Sequence, residues 1–596
     1  MFYDKNSWDA VYDVIVIGFG GAGATAARFS ADNNAKVLLI DSAPEGHEGG
    51  NTRYAGQIVE TGDDFDKLKK YYQQMTSPLE LDEKVLDTFI HGMVDLPNYF
   101  RKYLGCEPYS VKKNLDAKND KTLPFKAVEF PEFAGSETGD DLLVHPQVFD
   151  SALWKILRKN VISRSSHIDI LYKAPAQHLL QTANKTIIGV QIKYADKLLN
   201  IKANNGVILA LGGFENNDRM IQDYLGETNL IPYGTLYNKG DGIKMAIEVG
   251  AGLWHMNNYE PGTPTSFSIP GGQRAYFKIN NWSEMFKGSL ISVGDDGTRY
   301  LPEDDKSRHG HTYYHGLWRV LPVQQHPYLI FDQKKYDEFM QADNDNLQKA
   351  ILNTAVKSAT ISDLAHTIGV DSQVLQQTIE NYNFFVEQKC DYQLGRNPET
   401  MEKISMSGPF YALAKRHTML NTQGGARRNE KAEVLDTAGR VIPHLYEAGE
   451  LGHVNINQYN GGGDFADCLI FGKIAGENAA KSKDDLRADK LVPLQLSTAK
   501  SQVTESYEVG ANQYIGHSTS GIGNEIAVKV TVDQKKRPVK VEVVKESESA
   551  DYGEQAISQL IQEVQDAKCA NVDAVSGASS TSRAFKEAVN DALSKA

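Results

Sequence analysis

The run Val14-Ile15-Val16-Ile17 breaks abruptly into Gly18-Phe19-Gly20-Gly21-Ala22-Gly23, and an alanine-rich segment, Thr25-Ala26-Ala27-Arg28, follows. A β-branched run, a glycine cluster and then helix formers read as strand, tight turn and helix. In a Gly-x-Gly-x-x-Gly turn, Gly18 permits the bend, Gly20 lets the backbone approach a pyrophosphate, and Gly23 allows close helix–strand packing, with Gly21 and Ala22 completing the loop. The helix N-terminus then offers unpaired N–H groups and a positive dipole end to phosphates. A second strand, Lys36–Ile40, ends in Asp41, the acidic position that holds a ribose hydroxyl. Glycines alone would suit a ligand-free βα turn. With strand, helix and terminal acid in register, the pattern predicts a dinucleotide cradle.

A chain of 596 residues exceeds one hydrophobic core and divides into domains. The net charge of −14, with no basic block, excludes nucleic acid as the expected partner. Cys106, Cys390, Cys468 and Cys569 form no Cys-x-x-Cys pair, and the histidines lack ligand spacing, so no disulfide framework, iron–sulfur cluster or other metal site is expected. The polar leader Met1–Lys5 and the absence of a long apolar run predict a cytoplasmic chain without membrane insertion.

Glycine signals recur downstream. Gly49-Gly50-Asn51-Thr52-Arg53 and Ala55-Gly56 follow the βαβ unit, and a strand over 206–211 closes on Gly212-Gly213. Lys239-Gly240-Asp241-Gly242 opens a helix over 243–249. Helical patterns cover 65–75, 83–104 and 146–159, and short strands cover 168–172 and 187–194. From 259 to 421 the chain turns aromatic (Tyr259, Phe267, Tyr276, Phe277, Trp282, Phe286, Tyr313, Tyr314, Trp318), which predicts an inserted capping domain with most of those rings in its own core. Leu445–Glu450, including Gly449 and Glu450, and the glycine run Asn460–Asp464 before a helix from Phe465 and Ala466 to Ala480, return to nucleotide-binding character. The fold class is therefore α/β: a Rossmann-like domain (1–258 and 422–485) interrupted by an α+β cap (259–421), a polar linker (486–503) and a small α+β unit (504–596).

About the first 485 positions resemble the flavoprotein family of soluble fumarate reductases, urocanate reductase and 3-ketosteroid dehydrogenases. The resemblance rests on Gly18–Gly23, Gly49–Thr52, Gly212-Gly213-Phe214, Gly297-Thr298-Arg299-Tyr300 with Glu303, Thr422-Gln423-Gly424-Gly425 and Leu445–Glu450. It implies non-covalent FAD, held by these glycines together with Asp41, Asn51, Thr52, Gly56, Ala176, Asp241, Glu450, Phe465 and Ala466. The tail resembles the domain that carries covalent FMN on Asp-x-x-Ser/Thr-Gly-Ala-Thr/Ser. That implies recognition by Asp573, Ser576, Gly577 and Ala578 and a phosphoester to Ser579, where the family more often has threonine; an N-cap for the last helix is a compatible reading.

In that family reduced flavin passes a hydride to the β-carbon of an activated alkene and an acid protonates the α-carbon. Developing negative charge needs fixed donors, and a proton source must lie within reach. Where fumarate reductases place clamping or proton-donating groups, this chain has Tyr459, Tyr336 and Asn421, which argues against a small dicarboxylate. Tyr459 with Gly463 resembles the ketosteroid-dehydrogenase pair that polarises a carbonyl. Tyr336 is the candidate acid, Glu303 and Arg308 a relay feeding it, and His309, His311 and His417 further acids. The leading expectation is an ene-reductase acting on an aryl or bulky unsaturated acid or carbonyl compound, with electrons relayed through FMN from an NADH-dependent flavin reductase. The alternatives are a Δ1-type dehydrogenase of a cyclic ketone and a fumarate or urocanate reductase; a structural flavoprotein that recognises RNA or protein ranks last.

Overall fold

The computed structural model describes residues 8–115, 128–262, 266–268, 275–276, 287–304, 308–314, 316–320, 323–341, 346–483, 488–494, 507–549, 552–575 and 578–596. The leader Met1–Lys5, the aromatics Phe277, Trp282 and Phe286, much of the predicted linker, and Ser576 and Gly577 lie outside those residues.

The strand Ala10–Ile17 runs at the middle of an eight-stranded sheet. On one side it pairs in parallel with Val37–Ile40, which pairs with Ile168–Leu171; on the other it pairs with Lys197–Leu209, which pairs with Val441–Glu447. Val14, Ile15, Val16 and Ile17 are all buried, as expected for a parallel sheet covered on both faces. The helix Gly21–Asp32 follows the glycine turn and lies against the helix Gly463–Ala480. Their backbones approach closely: a Cβ on Gly476 would stand 2.4 Å from the Ala26 carbonyl oxygen. The long helix is accordingly apolar almost all round, buried against sheet and neighbour.

One strand and one helix depart from the sequence expectation. Lys197–Leu209 is 13 residues long and begins well before 206. Its first half pairs antiparallel with Ile187–Tyr194, which pairs with Ala176–Gln181, while its second half joins the parallel sheet. The lysines and asparagines of Lys197–Asn205 mask the first half, although Ile201 and Ala203 among them are buried in the core. The helix after the glycines at 240–242 starts one residue inside that motif, at Asp241.

Between the two halves of this sheet, the strands Leu290–Val293, Tyr328–Asp332, Phe410–Ala414 and Val356–Ser358 form a separate antiparallel sheet. The helices Ile361–Ile368 and Ser372–Gln388 cover it through Leu364, Leu375, Ile379 and Tyr382. The chain enters and leaves this region on paired strands, Tyr259 opposite Thr422 and Glu260 opposite Asn421. At the C-terminal end, Gln513–Ser518, Ile526–Val532 and Pro538–Lys545 make a three-stranded antiparallel sheet backed by helices Tyr552–Ala567 and Ser579–Ser594. This unit is docked on the first. The Arg53 guanidinium donates to the Ser547 carbonyl, and Lys155 Nζ donates to the Thr519 carbonyl at 2.9 Å.

Candidate active site

A cavity of about 1000 Å³ opens at the carboxyl ends of the parallel strands, at the top of the range of ligand sites. One end is lined by Gly18, Gly20, Gly21, Ala22, Asp41, Gly50, Asn51, Thr52, Gly56, Ala176, Gly212, Asp241, Gly449, Glu450 and Phe465. The remaining predicted cradle residues support this wall from behind. A Cβ on Gly23 would fall 1.8 Å from the Gly18 carbonyl oxygen, one on Gly49 would meet Trp154, and one on Gly213 would meet Thr422 Oγ1 at 2.1 Å. Ala466 is buried in the helix below.

The residues fit a dinucleotide. Gly20 faces open space, since a Cβ there would meet nothing closer than 3.6 Å, so a phosphate can approach the backbone. The Asp41 carboxylate accepts N–H groups from Phe19 at 2.6 Å and Ala43 at 2.7 Å, which fix it on the cavity wall. Burial pushes its carboxyl up to about 6 against the pull of those two N–H groups. Asn51 Nδ2 donates to Glu215 at 2.6 Å and to Glu450 at 3.1 Å, while its Oδ1 accepts the Thr235 N–H. Burial raises both carboxyls, and Glu215 raises Glu450 further. Behind them Arg428, fully buried, donates to Glu447 at 2.7 Å and to Asp467, whose other oxygen accepts the Gly449 N–H.

The other end is lined by Glu129, Asp141, Arg308, His309, Asn421, Tyr459, Gly461, Gly462 and Asp464. Tyr459 Oη accepts the Gly462 N–H at 3.2 Å, which leaves its own proton free to donate. Burial and the nearby Asp464 push this phenol far above its ordinary value, so it stays protonated. Gly463 stands just behind, its N–H given to the Asn460 carbonyl at 3.2 Å. Asn421 donates to Asp464 and accepts from Gln423 Nε2 at 2.8 Å, so both ends of its amide are engaged. Glu60, Asp141 and Glu260 cluster around this end, and burial raises all three well above the carboxylate range.

The structure does not bring Tyr336, Glu303 and Arg308 together. Tyr336 lies on the helix Gln333–Gln341, stacked on Tyr411 at 4.4 Å within the core of the inserted region rather than on the cavity wall. Glu303 is buried between Arg299 (2.6 Å) and Arg396 (3.3 Å). Arg308 reaches the cavity but pairs with Glu132 at 2.5 Å, its guanidinium 4.2 Å over the Trp318 ring. The proposed relay is thus replaced by a structural ion cluster. Of the other histidines, His311 bonds the carbonyls of Arg308 and Asn457, and His417 is buried beside Tyr300. Glu129, Asp141, Tyr233 and Tyr237 line the cavity without any sequence signal, because each arrives from a segment with no motif.

In the tail, the helix Ser579–Ser594 opens with four hydroxyl residues. Thr581 is buried against Glu548, Ser582 Oγ accepts the Val575 N–H at 2.9 Å, and Ser580 Oγ donates to the Phe149 carbonyl at 3.0 Å. Ser579 is the exposed one. Phe149 also lines the large cavity, so the start of this helix touches the cavity wall.

A dinucleotide cradle continuous with a second, acid-rich chamber defines a flavoprotein oxidoreductase. The chain belongs to the family described as FAD binding domain, whose model matches residues 13–464, and residues 521–594 match the FMN-binding domain. The chain is 26% identical over 486 residues to NADH:fumarate oxidoreductase from Klebsiella pneumoniae (strain 342), covering 79% of this chain and about half (48%) of that one. It is 25% identical over 476 residues to vinyl phenol reductase from Lactiplantibacillus plantarum, covering 74% of this chain and 89% of that protein. Its fold is similar to that of 3-ketosteroid Δ1-dehydrogenase from Sterolibacterium denitrificans, with a TM-score of 0.63 and 20% identity over 80% of this chain and 100% of that one.

Proposed function

We propose that this enzyme is an ene-reductase for a bulky or aryl-bearing unsaturated carbonyl compound or acid, with electrons entering through FMN carried on Ser579. The observation that carries the reading is the chamber at the far end of the cavity. Arg308 is the one arginine among its described lining residues, and that arginine is already paired with Glu132. Carboxyl groups from Glu129, Asp141 and Asp464 surround the remaining space. A dianion such as fumarate needs a charge-assisted fork at each end, and the described lining offers no second arginine to make one. A neutral or singly charged substrate with a large apolar body suits the same walls, and Tyr54, Phe149, Tyr233 and Tyr237 supply apolar area. A vinyl phenol reductase among the relatives supports an aryl substrate.

Bound FAD supplies the hydride for the β-carbon. The protein's task is to polarise the acceptor. Tyr459 donates its phenol proton toward the substrate oxygen, while the Gly462 N–H holds the phenol oxygen in place. Gly463 supports this arrangement from the backbone, and Asn421 acts by orienting Asp464. Removing one donor of this kind costs about 2.7–4 kcal/mol of barrier. In the tail, Ser579 is the exposed hydroxyl at a helix N-terminus, where a phosphate is stabilised by the dipole. Its neighbour Ser580 bonds the carbonyl of Phe149, a residue of the cavity wall, so FMN held on Ser579 would lie near the FAD chamber and would supply electrons to it. An NADH-dependent flavin reductase is the proposed donor. The second reading, desaturation of a cyclic ketone, is favoured by Tyr459 alone.

The test is anaerobic. Chemically reduced protein is mixed with cinnamates, vinyl phenols, enones, urocanate and fumarate, and flavin absorbance is followed. Reoxidation by an aryl or enone compound at least tenfold faster than by fumarate supports the reading. Reoxidation by fumarate alone overturns it, and reduction of the oxidised enzyme by a saturated cyclic ketone with a dye acceptor favours the second reading.

A further inference from the structure

The chamber contains one charge-paired histidine that the scheme above leaves unused. His309 Nε2 lies 2.6 Å from Glu129 Oε1, and the imidazole meets the Tyr459 ring edge-on, with centroids 4.8 Å apart. Both partners line the cavity. Glu129 is itself held in place: Oε1 also accepts the Gly461 N–H at 3.0 Å, and its backbone N–H donates to Asn460 Oδ1 at 2.8 Å. Its second oxygen, Oε2, is buried and has no hydrogen-bond partner among the described residues.

The loop carrying His309 is built to aim it. Arg308 is anchored on one side by Glu132 and by stacking over Trp318. On the other side His311 N donates to the Arg308 carbonyl at 3.0 Å, and its ring spans the carbonyls of Arg308 and Asn457. Between these anchors the His309 backbone is left-handed, with φ of 47°, a conformation that costs a non-glycine residue about 1 kcal/mol or more. Gly461 leaves room for the carboxylate that pairs with the ring: a Cβ there would stand 3.1 Å from Glu129 Oε1. Strain held by anchors on both sides, at a cavity wall, points to a side chain with a functional role.

We propose that His309, oriented by Glu129, is the acid that protonates the substrate carbon, a proposal that rests on the ene-reductase reading. With Nε2–H tied to the carboxylate, Nδ1 is the ring nitrogen left to exchange a proton. Once the β-carbon has accepted hydride, the electron pair on the α-carbon, stabilised as an enolate by Tyr459, takes the Nδ1 proton. A C–H bond forms, the N–H bond breaks, the imidazolium becomes neutral, and solvent returns the proton. The groups facing this ring are Glu129, Asp464, Tyr459 and its own neighbours Arg308 and His311. Burial pulls the imidazole down, but Glu129 and Asp464 more than offset it and hold the ring above the ordinary imidazole value. This role goes to a residue on the cavity wall, in place of Tyr336.

The experiment compares the wild-type holoenzyme with His309→Gln and Glu129→Gln. In the first, reoxidation by the preferred unsaturated substrate falls by about 10²–10⁴-fold while FAD content is kept. In the second, the basic limb of the pH–rate profile moves to lower pH, because the carboxylate that holds the proton on the ring is gone. A second readout needs no turnover: in ¹⁵N-histidine spectra of the oxidised protein, the ring signal absent from His309→Gln titrates above the ordinary imidazole range, and at lower pH in Glu129→Gln. The proposal is overturned if His309→Gln reoxidises within threefold of wild type, or if Glu129→Gln leaves both the limb and the titration unmoved. A wild-type enzyme that no unsaturated compound reoxidises would instead defeat the ene-reductase reading.

Discussion

Replacing Arg428 by methionine tests how the flavin chamber is held open. The guanidinium is fully buried, bonded to Glu447 at 2.7 Å and to Asp467, and stacked 4.1 Å over Phe471. Asp467 in turn fixes the Gly449 N–H at 3.0 Å, so the cluster joins the last parallel strand to the helix whose N-terminus borders the cavity. Methionine keeps the volume but leaves two carboxylates with no cation. Breaking a buried pair in this way costs about 3–5 kcal/mol, because the remaining charge is buried and uncompensated. The loss depends on pH. Burial already raises the Glu447 carboxyl far above its usual value, and Arg428 pulls it down. Without that pull the folded protein binds the proton more tightly still, so stability falls further as pH rises above the ordinary carboxylate range near 4.5. The variant's deficit is therefore larger at pH 8 than at pH 5. The assay is denaturant unfolding followed by flavin release, run at both pH values. A deficit under 1 kcal/mol at pH 8, or a larger one at pH 5, refutes the argument.

Ser579→Ala removes covalent FMN from the intact mass while FAD stays bound, and retention of the FMN mass would place the attachment elsewhere. Gly23→Ala sets a methyl 1.8 Å from the Gly18 carbonyl oxygen and is expected to abolish FAD binding, read as loss of yellow colour in a purified sample. Tyr336→Phe keeps its stacking on Tyr411 and changes the rate of substrate reduction by less than threefold; a hundredfold loss would return it to the chemistry.

The nucleotide half of the molecule was legible because its signals are local. A strand, three glycines and an acid lie within 28 positions, and each glycine answers to one steric demand, such as the Gly23–Gly18 contact. The chamber was legible only in part. Tyr459 and Asn421 were named from motif positions and do line the cavity. Glu129 and His309 lie 180 positions apart in the chain and meet only after the inserted region folds back, so no spacing announces the pair. Tyr336 and Glu303 failed to reach the cavity for the opposite reason. Their local patterns are satisfied inside the inserted region, by Tyr411 and by Arg299 with Arg396. The first half of Lys197–Leu209 was missed because its lysines and asparagines hide the alternation, although Ile201 and Ala203 pack into the core and the stretch pairs with its neighbour.

The central claim is that this chamber delivers two electrons and a proton to a polarised double bond. The measurement closest to it is a single anaerobic turnover of reduced protein with one equivalent of an aryl-substituted unsaturated substrate in deuterated water. The account predicts return of one flavin equivalent of oxidised absorbance, half of the reduced FAD and FMN together, and one equivalent of saturated product carrying solvent deuterium at the α-carbon. Flavin that stays bleached, or a product with no solvent deuterium at the α-carbon, contradicts it.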